Sequence, residues 1–593
     1  MIKSRPQRRR ARSRTARQCL FIFAALTAFS VPALVLKPSF ASAQQKPGVP
    51  GIVLKEADPS EKGTGRLSPA AAAAKAHGPL PSSKAAGEAK AAANAAARRA
   101  ALSGASRAMP GDLSVLGGEA GPKGAPLIPQ SPVPLAPTIF AGLNFPGQGN
   151  PATNKGSPPD TTGAIGTTRY IQLVNTEAGI FNRANGALLA KGTLNQLAGL
   201  DPEIVSFDPQ IIWDGQTDRF YYVMDSIFSD TDNRLSFGFS KTSSPANVTT
   251  AFCHYTLGFK TRFPDYPKLG DSKHFIIIGS NVFDGFGPFL GSNIVAISKP
   301  PPGTSCPPAN SFKFGEKFPL FAEDGVTQVF TPVPSNQIDT WPAGYVVTTT
   351  SFETDKRLWF FNIGRNSSTG FPTFGSARKV IVGSYSIPPS AAQPGASQVL
   401  DTLDGRNTQA VQAINPRRGT FSFWTQHTIL SRPSGNASGV RWYEIDPVPA
   451  GPVILRTGTI QSEPSFLFNA AISPDRMVNG IQRLFGDSFV IEYNVSGAAG
   501  PPIFPRIVAG SSAHGGPLQF ALIRNGVGPY IDFTCPFSGF QCRWGDYSGA
   551  APDPVAPTGA NIGLVWGTNQ FSGVAAPSPS LANWVTRIFA LKP

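Results

Sequence analysis

The last three quarters of the chain contain a loose repeat, and this repeat restricts the fold more than any other feature. Each segment opens with an Asp, continues with alternating apolar residues, turns at Gly, Asn or Asp, and returns through aromatic residues. The clearest openings are Asp160, Asp208, Asp265, Asp404 and Asp546. Their spacing suits one four-stranded sheet per repeat, and such a sheet must stack on its neighbours to bury both faces. The sequence therefore predicts an all-β chain folded as a β-propeller.

The number of blades follows from short alternating runs that are separated by turn residues. They define seven units, at about 160–200, 201–255, 264–310, 320–385, 398–450, 465–510 and 530–591. Six blades are the alternative, because the fourth and sixth openings lack the Asp. A ring must also join its ends, since it otherwise exposes sheet edges that invite aggregation. We therefore expect a strand around Thr138–Leu143 to pair with the last strand, Trp584–Leu591.

The N-terminus has the pattern of a secretory signal peptide. Residues 1–18 are rich in Arg and Lys without an acid, the apolar run CLFIFAALTAFSVPALVL follows, and Ala41-Ser42-Ala43 ends the segment. This order predicts cleavage after Ala43, so that residues 1–43 are removed. An uncleaved membrane anchor is the alternative. We expect a bacterial protein that is secreted or held in the periplasm or cell envelope, with membrane contact only through the signal or the tail.

Residues 44–136 are predicted to be a low-complexity tail, disordered or partly helical. Ala with interspersed Lys, Arg and Glu favours helix but offers little apolar surface to bury. The segment that follows, through GGEAGPKGAPLIPQSPVPLAPT, is rich in Gly and Pro and predicts an extended linker. The propeller domain is therefore placed at residues 137–593.

The net charge of the chain is +16, but its distribution argues against a nucleic-acid partner. Residues 1–43 hold nine Lys and Arg and no acid, and residues 44–109 hold ten against four acids, which leaves +1 for the rest. A nearly neutral folded domain does not predict a phosphate-binding surface. We expect a monomer that binds an extracellular glycan or protein and no nucleic acid.

The cysteines predict two disulfides, because Cys19 leaves with the signal and export permits oxidation. Cys535 and Cys542 are close enough in sequence to staple one loop, and Cys253 with Cys306 then forms the second pair, flanking one repeat. Four cysteines permit three pairings, so the sequence leaves the choice open. No C-x2-C motif occurs and the five His are scattered, which argues against zinc.

Five blocks occur in a fixed order: PPDTTGAIG, FPDYPKLG, LDTLDGR, VRWYEIDP and RWGDYSGAAPDP. Together they resemble secreted bacterial β-propeller proteins of the sialidase-like (BNR-like) class, over roughly residues 150–593. The resemblance implies an exported six- or seven-bladed propeller and supplies no activity, because the role of that group is poorly defined. The Asp-box turns of sialidases, S-x-D-x-G-x-x-W/F, are not kept: the nearest segments, Trp213–Tyr222 and Ile472–Gly480, have other spacings.

The repeat-opening acids are candidate metal ligands. If each one begins the innermost strand of its blade, the carboxylates ring one end of the central channel and repel each other unless a cation or basic side chains offset their charge. No cofactor is required, but Ca²⁺ and Mg²⁺ prefer such oxygen ligands, and a bound Ca²⁺ at this mouth is a hypothesis. The alternative is that each Asp caps its own turn by accepting a backbone N–H. The candidate ligands are Asp160, Asp208, Asp265, Asp404 and Asp546.

An Asp-Tyr pair recurs in two blocks, as Asp265-Tyr266 and Asp546-Tyr547. A Tyr beside a carboxylate can bind sugars by stacking and hydrogen bonding, and nearby basic groups suit an anionic ligand. The alternative is a packing Tyr whose hydroxyl is satisfied by the adjacent blade. The candidate ligand-binding residues are Asp265, Tyr266, Lys268, Arg406, Arg543, Asp546 and Tyr547.

No catalytic residue is predicted. The chain lacks G-x-S-x-G and phosphate-loop motifs, and His274 and His427 lie inside predicted strands, where a structural His is the simpler interpretation. Glu444 and Asp446 alternate at the end of a strand, where we expect them on solvent. A carboxylate pair at the channel mouth is the remaining route to glycosidase chemistry.

The leading hypothesis is an exported, non-catalytic binding or scaffold propeller whose channel-mouth loops hold an extracellular glycan, an envelope component or a protein. The first alternative is an enzyme, a glycoside hydrolase or polysaccharide lyase that uses acids of the same mouth. The second is a purely structural envelope protein. Fold class alone does not decide among them.

Overall fold

In the computed structural model the described residues lie between Ile52 and Pro593. The predicted signal peptide with its cleavage site and most of the predicted tail lie outside the described residues. No helix in the described part of the chain is long and apolar enough to cross a membrane. The residues described are 52–63, 137–149, 156–285, 287–350, 355–431, 435–448, 451–477, 485–535, 541–555 and 563–593.

Seven sheets follow one another along these residues and form the blades of a β-propeller. The all-β prediction is confirmed, and seven blades are correct rather than six. Two strands precede the first blade: β1 (Val53–Glu56) and β2 (Thr138–Pro146). Blade 1 contains β3 (Thr162–Ile165), β4 (Arg169–Val174), β5 (Glu177–Asn182) and β6 (Leu188–Thr193). A short helix, α1 (Leu194–Ala198), leads to the next blade.

Blades 2 to 4 repeat the antiparallel order. Blade 2 contains β7 (Val205–Asp214), β8 (Arg219–Ser229), β9 (Asp232–Ser240) and β10 (Phe252–Lys260). Blade 3 contains β11 (Arg262–Asp271), β12 (Phe275–Asp284), β13 (Phe289–Ser298) and, after the 3-10 turn Ala309–Ser311, β14 (Phe314–Lys317). Blade 4 contains β15 (Val329–Pro334), β17 (Gly344–Thr350), β18 (Asp355–Arg365), β19 (Pro372–Phe374) and β20 (Arg378–Tyr385). The intervening β16 (Asn336–Gln337) joins blade 5 in parallel.

Blades 5 to 7 complete the ring. Blade 5 follows β21 (Val399–Leu400) and contains β22 (Asn407–Asn415), β23 (Thr420–Leu430), β24 (Ser438–Asp446) and β25 (Val453–Ile460). Blade 6 contains β26 (Phe466–Pro474), β27 (Phe489–Gly497), β28 (Ile503–Ser512) and β29 (Gln519–Arg524). Blade 7 follows β30 (Gln541–Cys542) and contains β31 (Gly549–Pro552), β32 (Val565–Ser572) and β33 (Trp584–Lys592).

The hydrophobic core lies between the blades. The first strands of neighbouring blades contact each other around the whole ring, in the order β3, β7, β11, β15, β22, β26, β31 and back to β3. Apolar clusters fill the wedges outside this inner ring, for example Ile180 with Met224 between blades 1 and 2, and Tyr170 with Trp566 between blades 1 and 7. β8 is buried along its full length, which shows that neighbours cover both faces of its sheet.

The ring closes by pairing the N-terminal strand with the C-terminal one. β2 runs antiparallel to β33 and adds the outermost strand of blade 7, with Ile139 opposite Leu591. Arg587 secures the pair, because its Nε donates to the side-chain oxygen of Asn144 at 2.8 Å. The expected closure by a strand near Thr138–Leu143 is confirmed.

One segment of the predicted tail belongs to the fold. β1 pairs with β10 and becomes the fifth strand of blade 2, and Ile52 beside it is buried. Arg234 of blade 2 donates to both carboxylate oxygens of Glu61, at 2.9 and 2.6 Å. The tail prediction missed this strand because VLKE is short and alternates weakly.

The two disulfides join the cysteines in the expected pairs, Cys253 with Cys306 and Cys535 with Cys542. Cys253 lies on β10 of blade 2, whereas Cys306 lies between β13 and β14 of blade 3. This disulfide therefore connects neighbouring blades, rather than the two edges of one repeat as the sequence suggested.

Two long connections cover the end of the channel where the inner strands begin. Residues 386–406 lead into β22, and residues 525–535 with 541–548 lead into β31. Parallel pairing of β21 with β30 joins them. The side-chain amide of Gln393 donates to the backbone oxygen of Tyr530 at 2.8 Å and accepts its backbone N–H at 2.6 Å. We name these two connections the cap.

Closure of the ring predicts the effect of two truncations. A chain that begins at residue 137 loses β1 but keeps β2, so we expect a folded monomer with a lower midpoint of thermal unfolding. A chain that begins at residue 150 also exposes the edge of β33, and we expect a larger loss and aggregation. Thermal unfolding and gel filtration of both, beside a chain that begins at residue 44, make the comparison. Equal behaviour of the two truncations would contradict the closing role of β2.

Candidate functional site

Five inner strands carry a β-bulge. β7, β11, β15, β22 and β26 each leave two residues unpaired against the second strand of the blade. In four of these bulges one residue has a positive φ: Asp208, Tyr266, Thr331 and Asn469. A bulge changes the direction of a side chain, and the strained αL conformation is typical of functional or tightly constrained positions. Asp208, Tyr266 and Asn469 all contact other blades.

Asp160 and Asp546 form the centre of a network that ties blades 7, 1 and 2 together. Asp160 accepts the backbone N–H of Asp546 at 2.7 Å and a hydrogen bond from the side chain of Asn175. The Asn175 side-chain oxygen in turn accepts the backbone N–H of Asp208 at 2.8 Å. Arg543 donates to the Asp546 carboxylate at 2.9 Å. The pKa of Asp160 is raised to about 6, mainly because the carboxyl is buried and also because the Asp546 carboxylate is close to it.

Two tyrosines cross the channel and enclose a buried lysine. Tyr266 of blade 3 donates to the backbone oxygen of Asp546 at 2.7 Å, and Tyr547 donates to Asp208 of blade 2 at 3.1 Å. Lys268 Nζ lies 4.0 Å from the Tyr266 ring centroid and 3.5 Å from that of Tyr547. Lys268 Nζ also donates to the Asp546 backbone oxygen at 3.4 Å. Burial lowers the pKa of Lys268 well below its usual value.

Arg406 and Asp404 form a buried ion pair beside these tyrosines. The guanidinium donates from Nε at 2.7 Å and from Nη2 at 2.6 Å to the two carboxylate oxygens. Its Cζ lies 4.6 Å from the Tyr266 ring centroid and 4.9 Å from that of Phe330. Bidentate pairing and aromatic faces satisfy this cation inside the protein.

A second group of acids lies where blades 2 and 3 meet. Asp208, Asp225 and Asp265 each place one carboxylate oxygen within 4.8 Å of the others. Asp225 is in β8, directly opposite Phe207 beside the β7 bulge. The pKa of Asp225 is raised well above its usual value, mainly because the carboxyl is buried and also because Asp208 and Asp265 carry like charges.

Sequence analysis missed Asp225. It has one visible signal, because it is an acid in the middle of the apolar strand RFYYVMDSIFS. Nothing in the spacing of the repeat shows that this position is adjacent to Asp208 and Asp265. Asp225 becomes adjacent to Asp208 through the pairing of β7 with β8, whose register the bulge shifts.

The structure brings all seven candidate ligand-binding residues to this region but buries most of them. Tyr266, Lys268, Arg406, Asp546 and Tyr547 are buried, whereas Asp265 and Arg543 are partly exposed. A catalytic acid or base must contact its substrate. The buried side chains contact each other across the channel instead, so their arrangement closes the centre of the propeller.

The five candidate metal ligands occupy different positions relative to their inner strands. Asp208 and Asp265 lie inside their strands at the bulges, whereas Asp160, Asp404 and Asp546 precede theirs. The turn-capping alternative also fails for Asp160, which accepts a backbone N–H from another blade. Asp208 and Asp265 are close to each other, and their third neighbour is Asp225.

His427 has a structural environment. It is fully buried, its Nδ1 lies 2.8 Å from the Gly405 backbone oxygen, and its Nε2 lies 3.0 Å from the Tyr443 hydroxyl. Because the carbonyl can only accept, Nδ1 carries the proton and Nε2 accepts from Tyr443. Burial lowers the pKa of His427 to about 3. The expectation for Glu444 is wrong, since it is buried and accepts hydrogen bonds from Ser422 and Arg456.

Comparison with protein families and with curated proteins finds no match for this chain. Among solved structures it is similar to an exo-β-1,3-galactanase from Clostridium thermocellum, at 10% identity over 63% of this chain and 81% of that one, with a TM-score of 0.28. It is also similar to a GH43_1 enzyme from Xanthomonas citri complexed with xylose, at 9% identity over 51% of this chain and 92% of that one, with a TM-score of 0.27. BamB from Moraxella catarrhalis is similar at 10% identity over 72% of this chain and 84% of that one, with a TM-score of 0.26. Similarity this weak carries no activity to this chain.

The Arg406–Asp404 pair predicts a large cost for removing one partner. Arg406→Met leaves the Asp404 carboxylate buried without its cation, so we expect a loss of about 3–5 kcal/mol in the free energy of unfolding. The double variant Arg406→Met/Asp404→Asn removes the charge and should recover much of this loss. Denaturant unfolding of both variants measures the difference, and equal losses would contradict the buried-charge explanation.

The low pKa of His427 predicts a loss of stability in acid. Between about pH 6.5 and 3 the unfolded chain binds a proton that the folded chain excludes, so the stability contributed by the neutral imidazole is complete above pH 6.5 and falls as the pH is lowered. The stability of the wild type relative to His427→Gln should fall by up to about 1.4 kcal/mol per pH unit in this window. Urea unfolding at several pH values checks it. Parallel pH profiles would show that His427 does not titrate differently in the two states.

Proposed function

We propose that this protein is an exported, non-catalytic binding propeller whose cap face holds an extracellular glycan, an envelope component or another protein. The observation that carries this proposal is the contrast between the two sides of the cap. On its inner side, Asp208, Tyr266 and Lys268 are buried, and Asp208 and Lys268 contact Tyr547 of the cap. Above it, two long connections present their surface on a rigid ring.

Loop length supports the choice of this face. The connections at the opposite end of the inner strands are shorter than the cap connections: they include 215–218 between β7 and β8 and 416–419 between β22 and β23, and the longest is 475–488 between β26 and β27. The cap connections are held in place by the β21–β30 pairing and the Cys535–Cys542 disulfide. Long connections that a rigid scaffold positions are common carriers of binding function.

Export is supported by two independent features. The N-terminal residues 1–43 have the order of a secretory signal, and the folded domain contains two disulfides. Disulfides persist in the periplasm or outside the cell. The resemblance to secreted propellers of the sialidase-like class agrees with the same compartment.

A second candidate is a carbohydrate-active hydrolase or lyase, and one pair of acids favours it. Burial, and next the Asp546 carboxylate, raise the pKa of Asp160 to about 6, and Arg543 donates to Asp546 at 2.9 Å. Two adjacent carboxyls in different environments suit a general acid and a general base. This candidate requires the cap to open, because both acids are buried in the closed mouth. The solved structures named above include glycosidases, but they do not strengthen it.

The test is a glycan-array and polysaccharide-binding screen on the exported chain from residue 44, with product analysis of every hit. We expect binding without product. Ser397→Arg and Val527→Asp, both at exposed cap positions, should weaken binding at least about tenfold, because a charge or a bulky group there disturbs the contact surface. Gln216→Arg, exposed at the opposite end of the inner strands, is the matched control and should change nothing.

Three other outcomes would change the assignment. Product formation that Asp160→Asn abolishes would establish the enzyme instead. Binding that Gln216→Arg weakens and the cap variants do not would move the binding surface to the other end. No glycan or polysaccharide binding at all would favour a protein partner or a purely structural envelope role.

A further inference from the structure

Three acids from three different strands converge where blades 2 and 3 meet. Asp208 is in the bulge of β7, Asp225 is opposite that bulge in β8, and Asp265 begins the bulge of β11. One oxygen from each lies within 4.8 Å of the others. The two bulges create this convergence, because they direct residues of two blades toward one point.

Asp225 gives a second, independent indication of a ligand. Its exposed fraction is 0%, and neither of its carboxylate oxygens has a hydrogen-bond partner among the described residues. The nearest polarising group is the backbone N–H of Tyr266, which offsets only part of the cost of burial. Buried carboxylates in proteins are normally paired, hydrogen-bonded or bound to a metal.

The nearest basic groups, Arg543 and Lys268, attract Asp208, but both are engaged elsewhere. Arg543 pairs with Asp546, and the Lys268 ammonium lies against the Tyr266 and Tyr547 rings. The charges that act on Asp225 are those of Asp208 and Asp265, and the backbone N–H of Tyr266 offsets part of their effect. A cation at this point would offset three carboxylates that otherwise repel each other.

The donor atoms indicate a hard cation, because all three are carboxylate oxygens within 4.8 Å of one another. Ca²⁺ binds such ligands at about 2.3–2.6 Å in flexible geometry. Mg²⁺ demands near-ideal octahedral geometry at about 2.0–2.1 Å and usually keeps several waters, so three buried protein carboxylates suit Ca²⁺ better. The group has only carboxylate oxygens, which does not suit zinc. We propose that Asp208, Asp225 and Asp265 together bind one Ca²⁺ ion that joins blades 2 and 3.

The ion is structural, and it does not depend on what the cap face binds. It links inner strands of two blades next to the Tyr547 hydroxyl, which donates to Asp208. Ca²⁺ that binds only the folded chain raises its stability, and the effect grows with the free ion concentration.

The test uses the purified exported chain, first for metal content and then, after treatment with a chelator, for titration with Ca²⁺. We expect about one Ca²⁺ per chain and an unfolding midpoint that rises with each tenfold increase in free Ca²⁺. Asp225→Asn should weaken the apparent affinity at least about tenfold. Without Ca²⁺, this variant should unfold at or above the wild-type midpoint, because the substitution removes repulsion within the group.

Glu492→Gln is the matched control. Glu492 is also a fully buried acid on the second strand of a blade, and burial raises its pKa well above the usual value, but it lies in blade 6 and pairs with Asn569. Its Ca²⁺ response should equal that of the wild type. If Asp225→Asn does not fold, Asp265→Asn at a partly exposed position provides the same comparison.

Four results would overturn the proposal. One is a wild-type chain that neither contains Ca²⁺ nor responds to it. Another is an Asp225→Asn chain with unchanged affinity, which would place the ion elsewhere. The third is a Glu492→Gln chain that loses the response, and the fourth is tighter binding of Mg²⁺ than of Ca²⁺.

Discussion

Every blade of this propeller has two apolar faces, and neither face can be buried within its own sheet. The complete burial of β8 shows the result, since only the neighbouring blades can cover both of its sides. A row of such sheets always leaves two faces uncovered unless it closes into a ring. Closure therefore stabilises every interface, and it depends on β2, which brings Asn144 beside Arg587 across 443 residues of sequence. Contacts of that separation carry a high loop-closure entropy.

The centre of the ring poses the opposite problem. Seven inner strands surround a space that apolar side chains do not fill, and polar side chains close it instead. Burying charge is costly unless partners are present. Arg406 has Asp404, Arg543 has Asp546, and Lys268 has two aromatic rings in place of a carboxylate. Asp225 differs, because it is buried in the same region, no cation among the described residues pairs with it, and only the backbone N–H of Tyr266 offsets its charge.

Local patterns in the sequence predict the blades well and the centre poorly. Alternation and turn residues place the seven units, and the need for closure places β2 in blade 7 beside β33. Both predictions depend on neighbours in sequence or on a general property of rings. The convergence of Asp208, Asp225 and Asp265 depends on two bulges that shift strand register, and a bulge has no reliable signature in one sequence. The sequence aligned the repeats on their Asp residues, and for the same reason this alignment is one residue off. Asp208 of blade 2 is equivalent to Tyr266 of blade 3, because both have a positive φ in the bulge, whereas Asp265 precedes that position.

The cap escapes sequence analysis because its parts are far apart in the chain. Gln393 and Tyr530 belong to different connections, and nothing in either segment indicates the other. Once they are joined, the cap and the group of three acids become parts of one hydrogen-bonded structure. Asp208 accepts a hydrogen bond from the Tyr547 hydroxyl. Asp546, which precedes Tyr547 in the chain, pairs with Arg543, and the backbone N–H of Arg543 donates to the Thr534 side chain.

These contacts link the three buried acids to the outer face of the cap. The position of Asp208 depends on how the repulsion among the three acids is offset, and Tyr547 follows Asp208 because it donates to that carboxylate. Tyr547 is only a few residues from β30, which holds the two cap connections together. A charge balanced between blades 2 and 3 thus helps to fix the cap over the channel. The surface that we assign to binding is therefore only as rigid as the buried group of acids beneath it.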